Sequence, residues 1–197
     1  MLFCLSLTLL LMAQEPEKQK EIGLVFSNFD NFGITYKTGT AKSLWRFRTM
    51  SISGGKMNQT QDSTLNKQND FDFGFALGKE YRKEIAKKLE LRYGADLSFS
   101  YSNHKYDSND LSVRDNDGIS SQTFFRPGFN LVFGLNYILN DNFVIGAEVL
   151  PSFNYTTSIA KGEYYNDNNF REVKNETLGF SYGLSSNSVL LSLAYRF

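Results

Sequence analysis

The residue with the clearest catalytic potential is His104, the one histidine of the chain. Ser100, Ser102 and Asp107 lie nearby in sequence. A hydrolytic triad needs a base oriented on a nucleophile and an acid behind the base. A lone histidine at the edge of a loop is more often an ordinary polar residue. We therefore predict no catalytic residue and, because no phosphate-binding loop or ligand cluster stands out, no cofactor and no metal site.

Charged side chains recur at every second position of several strand-like segments. In residues 89–103 (LELRYGADLSFSYSN), an apolar face alternates with a face that carries Glu90, Arg92 and Asp96 among glycine and serine. Charges that share an interior must pair, because an unpaired buried charge is costly. We predict that a set of such residues forms a structural charge network: Lys37, Arg46, Arg48, Glu80, Arg82, Glu90, Arg92, Asp96, Arg126, Glu148 and Arg196.

Period-two alternation dominates the chain from residue 21 onward. Its runs are about twice the usual 5–6 residues of strands in soluble sheets, and the small polar face suits a crowded barrel lumen. A mean hydropathy of −0.35 is no objection, because the two faces of each strand cancel. We predict an all-β, transmembrane, eight-stranded antiparallel up-and-down barrel. Its strands lie near 21–28, 32–38, 43–56, 70–82, 89–104, 121–139, 143–157 and 176–197.

Short and long connections alternate along the chain, as in barrels with short periplasmic turns and long external loops. The short ones are 38–42, 83–88 and 140–142, and the long ones are 58–69, 105–120 and 161–175. A turn at 184–187 would give nine strands. We favour one long final strand, which keeps the alternation of loop lengths and places both termini on the periplasmic side.

The N-terminus differs from the rest. Residues 1–13 (MLFCLSLTLLLMA) are apolar and too short to span a bilayer as a helix, and they fit a signal peptide cleaved after Ala13. The alternative is a buried N-terminal helix or strand. The predicted organisation is a signal peptide at 1–13, a short segment at 14–20 and a barrel at 21–197. Cleavage would remove Cys4, the one cysteine, and exclude disulfides.

The segment SVLLSLAYRF resembles the C-terminal signature strand of bacterial outer-membrane barrels, which the barrel-assembly machinery reads. The residues that carry this likeness are Val189, Leu191, Leu193, Tyr195 and Phe197. In strand number and loop pattern the chain resembles small barrels such as OmpX and the OmpA transmembrane domain. The terminal YRF and the AQ after the signal segment look like Bacteroidetes versions. The resemblance implies an outer-membrane location, with membrane lipid and the assembly machinery as partners.

The function expected of such a barrel is structural or interaction-based, not enzymatic. Side chains fill eight-stranded barrels, so we expect a lumen plugged by its charges and external loops that contact an extracellular protein or glycan. A narrow passive, porin-like pore is the alternative, and a lipid-A-modifying enzyme is the third. Lys+Arg and Asp+Glu both number 21, so no nucleic-acid partner is expected.

Overall fold

The computed structural model describes residues 18–27, 32–61, 64–110, 117–166, 169–184 and 188–197. Nearly all of them are β-strand, and no helix in these ranges is long and apolar enough to cross a membrane. The strands are β1 (Lys18–Phe26), β2 (Phe32–Thr40), β3 (Ser43–Gln61), β4 (Thr64–Ala86), β5 (Leu89–Asp110), β6 (Asp117–Ile138), β7 (Phe143–Val149), β8 (Ser152–Asn166), β9 (Asn169–Gly183) and β10 (Val189–Arg196). The predicted signal peptide at 1–13 lies outside the described residues.

Eight strands close into an antiparallel ring. Each of β1 to β6 pairs with the next strand along the chain, and β10 pairs with both β7 and β1. The seam extends to the end of the chain, where Phe197 and Lys20 exchange two backbone hydrogen bonds of 2.9 Å. The predicted eight-stranded antiparallel up-and-down barrel is confirmed.

Two ring strands continue beyond an interruption. β7 and β8 are separated by Leu150 and Pro151, and both run antiparallel to β6. β9 pairs with β8 and β10 with β7, so β9 and β10 also share one direction. No reversal of direction separates β9 from β10, and the structure therefore agrees with one final strand in two parts and not with a ninth ring strand.

The strands β3 to β6 are longer than predicted, and β8 and β9 extend into a predicted loop, because the predicted long connections are mostly paired backbone among the described residues. β3 and β4 pair as far as Gln61 and Thr64, and β8 and β9 as far as Asn166 and Asn169. We use the name extension for the parts of β3 to β6 that continue beyond the level of Phe32, where β2 begins, together with the whole of β8 and β9. It comprises residues 51–61, 64–74, 100–110, 117–126, 152–166 and 169–183. The sequence analysis placed loops at 58–69, 105–120 and 161–175 because these parts of the extension are largely polar on both faces and show no sustained alternation.

The ring has an apolar outside and a polar inside. Burial alternates strictly along β7 and most of β10. Two belts of aromatic contacts circle the outside, one near the short turns (Tyr81 with Tyr93, Phe143 with Tyr195) and one higher (Tyr101 with Phe125). On β5 the belts lie at Tyr93 and Tyr101, a stretch of nine residues, and a tilted transmembrane strand needs about 9–11 residues. This band matches the apolar girdle of a membrane-spanning barrel.

Candidate functional site: a charge plug across the lumen

All eight ring strands contribute a polar side chain to a single network inside the barrel. The network consists of Glu21, Lys37, Arg46, Arg48, Glu80, Arg82, Glu90, Arg92, Asp96, Asn136, Glu148 and Arg196, and we call this set the charge plug. Period-two geometry explains its composition, because every second residue of a barrel strand faces the lumen.

Glu80 is the centre of the plug and is fully buried. Its carboxylate lies 2.8 Å from Lys37 Nζ, 3.2 Å from Arg46 Nη1 and 2.7 Å from Arg82 Nη2. These partners come from β2, β3 and β4, so one carboxylate ties together three consecutive strands.

Glu148 of β7 forms ion pairs with Arg46 and Arg92, two arginines from strands that are not its neighbours in the ring. Arg46 binds it in a bidentate manner, with nitrogen–oxygen distances of 3.0 and 2.9 Å. Arg92 Nη2 lies 3.0 Å from the same carboxylate. Because β3 and β7 are not neighbours in the ring, the Arg46–Glu148 contact crosses the lumen.

A lower layer lies next to the seam between β1 and β10. Arg82 Nη1 and Arg196 Nε lie 2.6 and 2.8 Å from the same oxygen of Glu21. Arg196 also contacts Glu90, which accepts a hydrogen bond from Asn136 Nδ2 at 3.1 Å. The sequence analysis missed Glu21 and Asn136, although both have the parity of lumen-facing positions in their predicted strands.

The plug is tightly packed. A cavity beside Arg46, Arg92 and Glu148 has a volume of about 10 Å³, which is roughly the room that one water molecule needs. Glycines make room for the large side chains: a Cβ at Gly134 would lie 2.8 Å from Arg92 Nε, and one at Gly146 would lie 3.2 Å from Arg92 Nη2.

Arg126 does not join the plug. Its Nη1 donates a hydrogen bond of 3.2 Å to Ser102 Oγ, and its guanidinium lies 4.4 Å from the centre of the Phe124 ring. No carboxylate in the described part of the chain lies within ion-pair distance of it. Parity correctly put Arg126 inside the barrel, but Arg126 pairs with Ser100, well above Arg92 on β5. The prediction that it belongs to the network is corrected for this reason.

His104 lies on the same face of β5 as Arg92 and Asp96, within the extension. Its Nδ1 is 2.9 Å from Asp70 Oδ1, and its ring packs edge-on against Phe124. Asp70, not the Asp107 considered from sequence, is thus its acidic neighbour. The pair lines an open cavity of about 450 Å³.

The residues of the predicted assembly signal form the outer face of the seam strand. Val189, Leu191, Leu193 and Tyr195 on β10 all point outward, as does Phe197. Tyr195 and Phe197 belong to the lower aromatic belt, where they stack at 6.0 Å between ring centres.

Comparison with known proteins gives a likeness of fold. No family model matches the chain, and no curated protein matches it. Among solved structures, a major outer membrane protein from Thermus thermophilus has a TM-score of 0.51 at 8% identity, covering 92% of this chain and 100% of that one. Acinetobacter baumannii CarO (TM-score 0.33, 11% identity, 91% and 96% coverage) and Ail, the attachment invasion locus protein of Yersinia pestis (TM-score 0.35, 12% identity, 93% and 100% coverage), are more distant. The chain has the fold of a bacterial outer-membrane β-barrel.

Proposed function

We propose that this protein is a non-enzymatic barrel of the bacterial outer membrane whose lumen is closed and which acts at the cell surface through its extension. The observation that carries the proposal is the charge plug, which joins all eight ring strands around a space of about 10 Å³. A lumen filled in this way supports the strands and does not conduct.

The membrane location is supported by the outer face of the ring. Large apolar side chains on every ring strand are exposed, and aromatic belts border them. Soluble monomers rarely expose so much contiguous apolar surface. An origin from a signal-bearing precursor, insertion by the barrel-assembly machinery through the residue 189–197 motif, and kinship with OmpX-type barrels of Bacteroidetes belong to the same proposal.

The surface role is supported by the length of the strands. β4, β5 and β6 have 23, 22 and 22 residues, whereas a transmembrane strand needs about 9–11. Roughly half of each strand therefore extends beyond the apolar band. The extension carries Asn, Ser, Thr and Asp with exposed aromatics such as Tyr106 and Phe170, a composition suited to contact with a protein or glycan.

Single-channel conductance in a planar bilayer tests the closed lumen. We expect no discrete steps from the refolded chain 14–197. A double variant, Arg46→Ala with Glu148→Ala, removes the pair that crosses the lumen and leaves the net charge of the plug unchanged, and we expect it to conduct. Arg126→Ala is the matched control, because it also deletes a lumenal arginine but one that lies outside the plug. We expect no conductance steps from this variant. Discrete steps from the unmodified chain would contradict the proposal and favour the narrow pore.

A further inference from the structure

A second cavity lies directly above the charge plug, inside the barrel. Its volume is about 410 Å³, which is within the usual range of about 300–1,000 Å³ for ligand sites. The plug forms its floor through Arg48, and side chains of β1, β2, β3, β5 and β6 form much of its wall. A closed floor and an open top make it a pocket and not part of a channel.

The cavity has an excess of positive charge. Arg48 and Arg126 are the charged side chains among its described lining residues. Within the plug, six cationic side chains meet five carboxylates, and Arg126 adds a seventh cation above them. The interior thus carries two more positive charges than negative ones among these residues, and both of the cavity's arginines border the free space.

Arg48 is bound loosely for a buried arginine. It is 6% exposed, yet its nearest carboxylate contacts are 3.7 Å from Glu148 and 3.9 Å from Asp96. Its Nε has no hydrogen-bond partner among the described residues, a feature that it shares with Arg46 Nε and Arg92 Nε, so the longer carboxylate distances are what distinguish Arg48. Arg46, one layer lower, has contacts of 2.9–3.2 Å with three carboxylates. A buried guanidinium with a free donor favours an additional anionic partner.

The uncharged polar groups around the arginines also suit an oxyanion. Hydroxyls of Ser51, Ser100 and Ser102 and the side-chain amide of Asn130 face the cavity. Each of these groups can donate a hydrogen bond, and arginine binds phosphate in a planar, bidentate geometry. The donor set therefore fits a phosphate group better than a neutral or cationic ligand.

Among the described strands, the pairing around this cavity is open on one side. β1 pairs with β10 only up to Phe26 and Leu191, and above that level β9 pairs with β8 alone among the described strands. Val25, Leu150 and Leu190 form an apolar part of the cavity lining close to this level. On β9, Leu178 and Phe180 are 60% and 67% exposed, so this open side borders an apolar surface.

We propose that the cavity above the plug binds a phosphate group through Arg48 and Arg126. The group is carried either by a lipid of the outer leaflet that enters from the side or by a soluble anion that enters from above. The lipid route rests on the membrane placement in the proposed function, whereas phosphate binding itself rests on the cavity alone.

The test uses the protein expressed at full length and purified from the outer membrane. In the lipid arm, the protein is exchanged into phosphatidylcholine vesicles that contain phosphatidic acid, and native mass spectrometry counts the lipid retained after release. In the soluble arm, calorimetry in zwitterionic detergent measures binding of inorganic phosphate. Each arm compares the unmodified chain with Arg126→Gln, which leaves the plug intact, and with Lys56→Gln, an equal charge change on an exposed residue of β3.

We expect Arg126→Gln to weaken binding about tenfold, the value of one charge-assisted contact, and Lys56→Gln to have no effect. Selective retention of phosphatidic acid assigns the site to a lipid, and binding of inorganic phosphate without lipid retention assigns it to a soluble anion. If neither probe distinguishes Arg126→Gln from the unmodified chain, the phosphate site is wrong. If the protein conducts ions but still binds phosphate, the closed lumen is wrong and the phosphate site is retained.

Discussion

Among single residues, Glu80 is the one on which the plug depends most. It is fully buried and lies within ion-pair distance of Lys37, Arg46 and Arg82. Glu80→Gln would leave these cations without their shared carboxylate. Removing one partner of a buried ion pair costs about 3–5 kcal/mol, and we expect the free energy of unfolding, measured in urea from lipid vesicles, to fall by about that amount.

Glu172 provides the matched control for this measurement. It is exposed on β9, and Glu172→Gln makes the same chemical change at the surface. Exposed substitutions of this kind usually change stability by less than about 0.5 kcal/mol. Equal effects of the two substitutions would mean that the plug does not stabilise the barrel.

The sequence could predict which residues face the lumen, but it could not predict at what level along the barrel axis each of them lies. Arg92 and Arg126 both have inward parity, yet Arg92 pairs with Gly134 and lies in the plug, whereas Arg126 pairs with Ser100. Gly134 and Arg126 are eight residues apart, or about 26 Å along β6. Height depends on the stagger between strands, which period-two alternation does not encode. Glu21 was missed for a related reason, because a residue at the start of a predicted strand gives no sign of its depth.

At the scale of the strands, β9 is the element most open to exchange with solvent. It pairs with β8 alone among the described strands, whereas β5 has neighbours on both sides throughout the extension. Backbone amides of a strand that has a neighbour on only one side lose their hydrogen bonds more easily than those of a strand paired on both sides. In hydrogen-exchange mass spectrometry of the protein in vesicles, we expect residues 172–177 to exchange faster than residues 101–106.

β10 is the internal control for that comparison. It is shorter than β9 but is paired on both sides, with β7 and β1, and should therefore exchange slowly. Protection of β9 equal to that of β5 would contradict the exposed edge and mean that another segment or molecule covers it.

The strands of the ring could be predicted because one of their faces meets lipid and the other meets the lumen. The extension has no such contrast: residues 58–61 of β3 and 66–70 of β4 are polar on both faces, and backbone pairing with neighbouring strands orders them. The break between β7 and β8 was missed as well, although Pro151 cannot donate a hydrogen bond to a sheet ladder. Pairing partners are a property of the assembled sheet, which a single segment does not reveal.

At the scale of the whole molecule, the closure of the ring joins the two ends of the described chain. The seam aligns Glu21 with Arg196 by backbone register, and the same two residues form an ion pair of 2.8 Å inside the barrel. Outside, Ile22 and Leu24 continue the apolar surface of β10. The same seam therefore contributes an ion pair to the plug inside and apolar side chains to the surface outside. Pairing of β1 with β10 brings Glu21 and Arg196 together as the barrel closes.

The lower end of this seam, near the short turns, gives the last prediction, which concerns assembly. Phe197 is exposed, stacks only with Tyr195 among the described ring contacts, and contributes its backbone to the pairing with Lys20. Phe197→Ala keeps that backbone, so spontaneous refolding into vesicles should be nearly unchanged. In cells, where we expect the assembly machinery to read this residue, the amount of folded barrel should fall several-fold, as measured by migration of unheated protein on SDS gels.

Phe143 allows the two roles of the aromatic ring to be separated. It lies in the same belt, packs against Tyr195 at 5.4 Å between ring centres and has a similar exposure. Phe143→Ala therefore removes a comparable lipid-facing ring without changing the predicted signal. If both substitutions reduce the folded barrel in cells equally, the ring of Phe197 acts through lipid contact and not through recognition. A loss confined to Phe197→Ala, with normal refolding in vesicles, places the effect in assembly, because lipid contact would act in both settings.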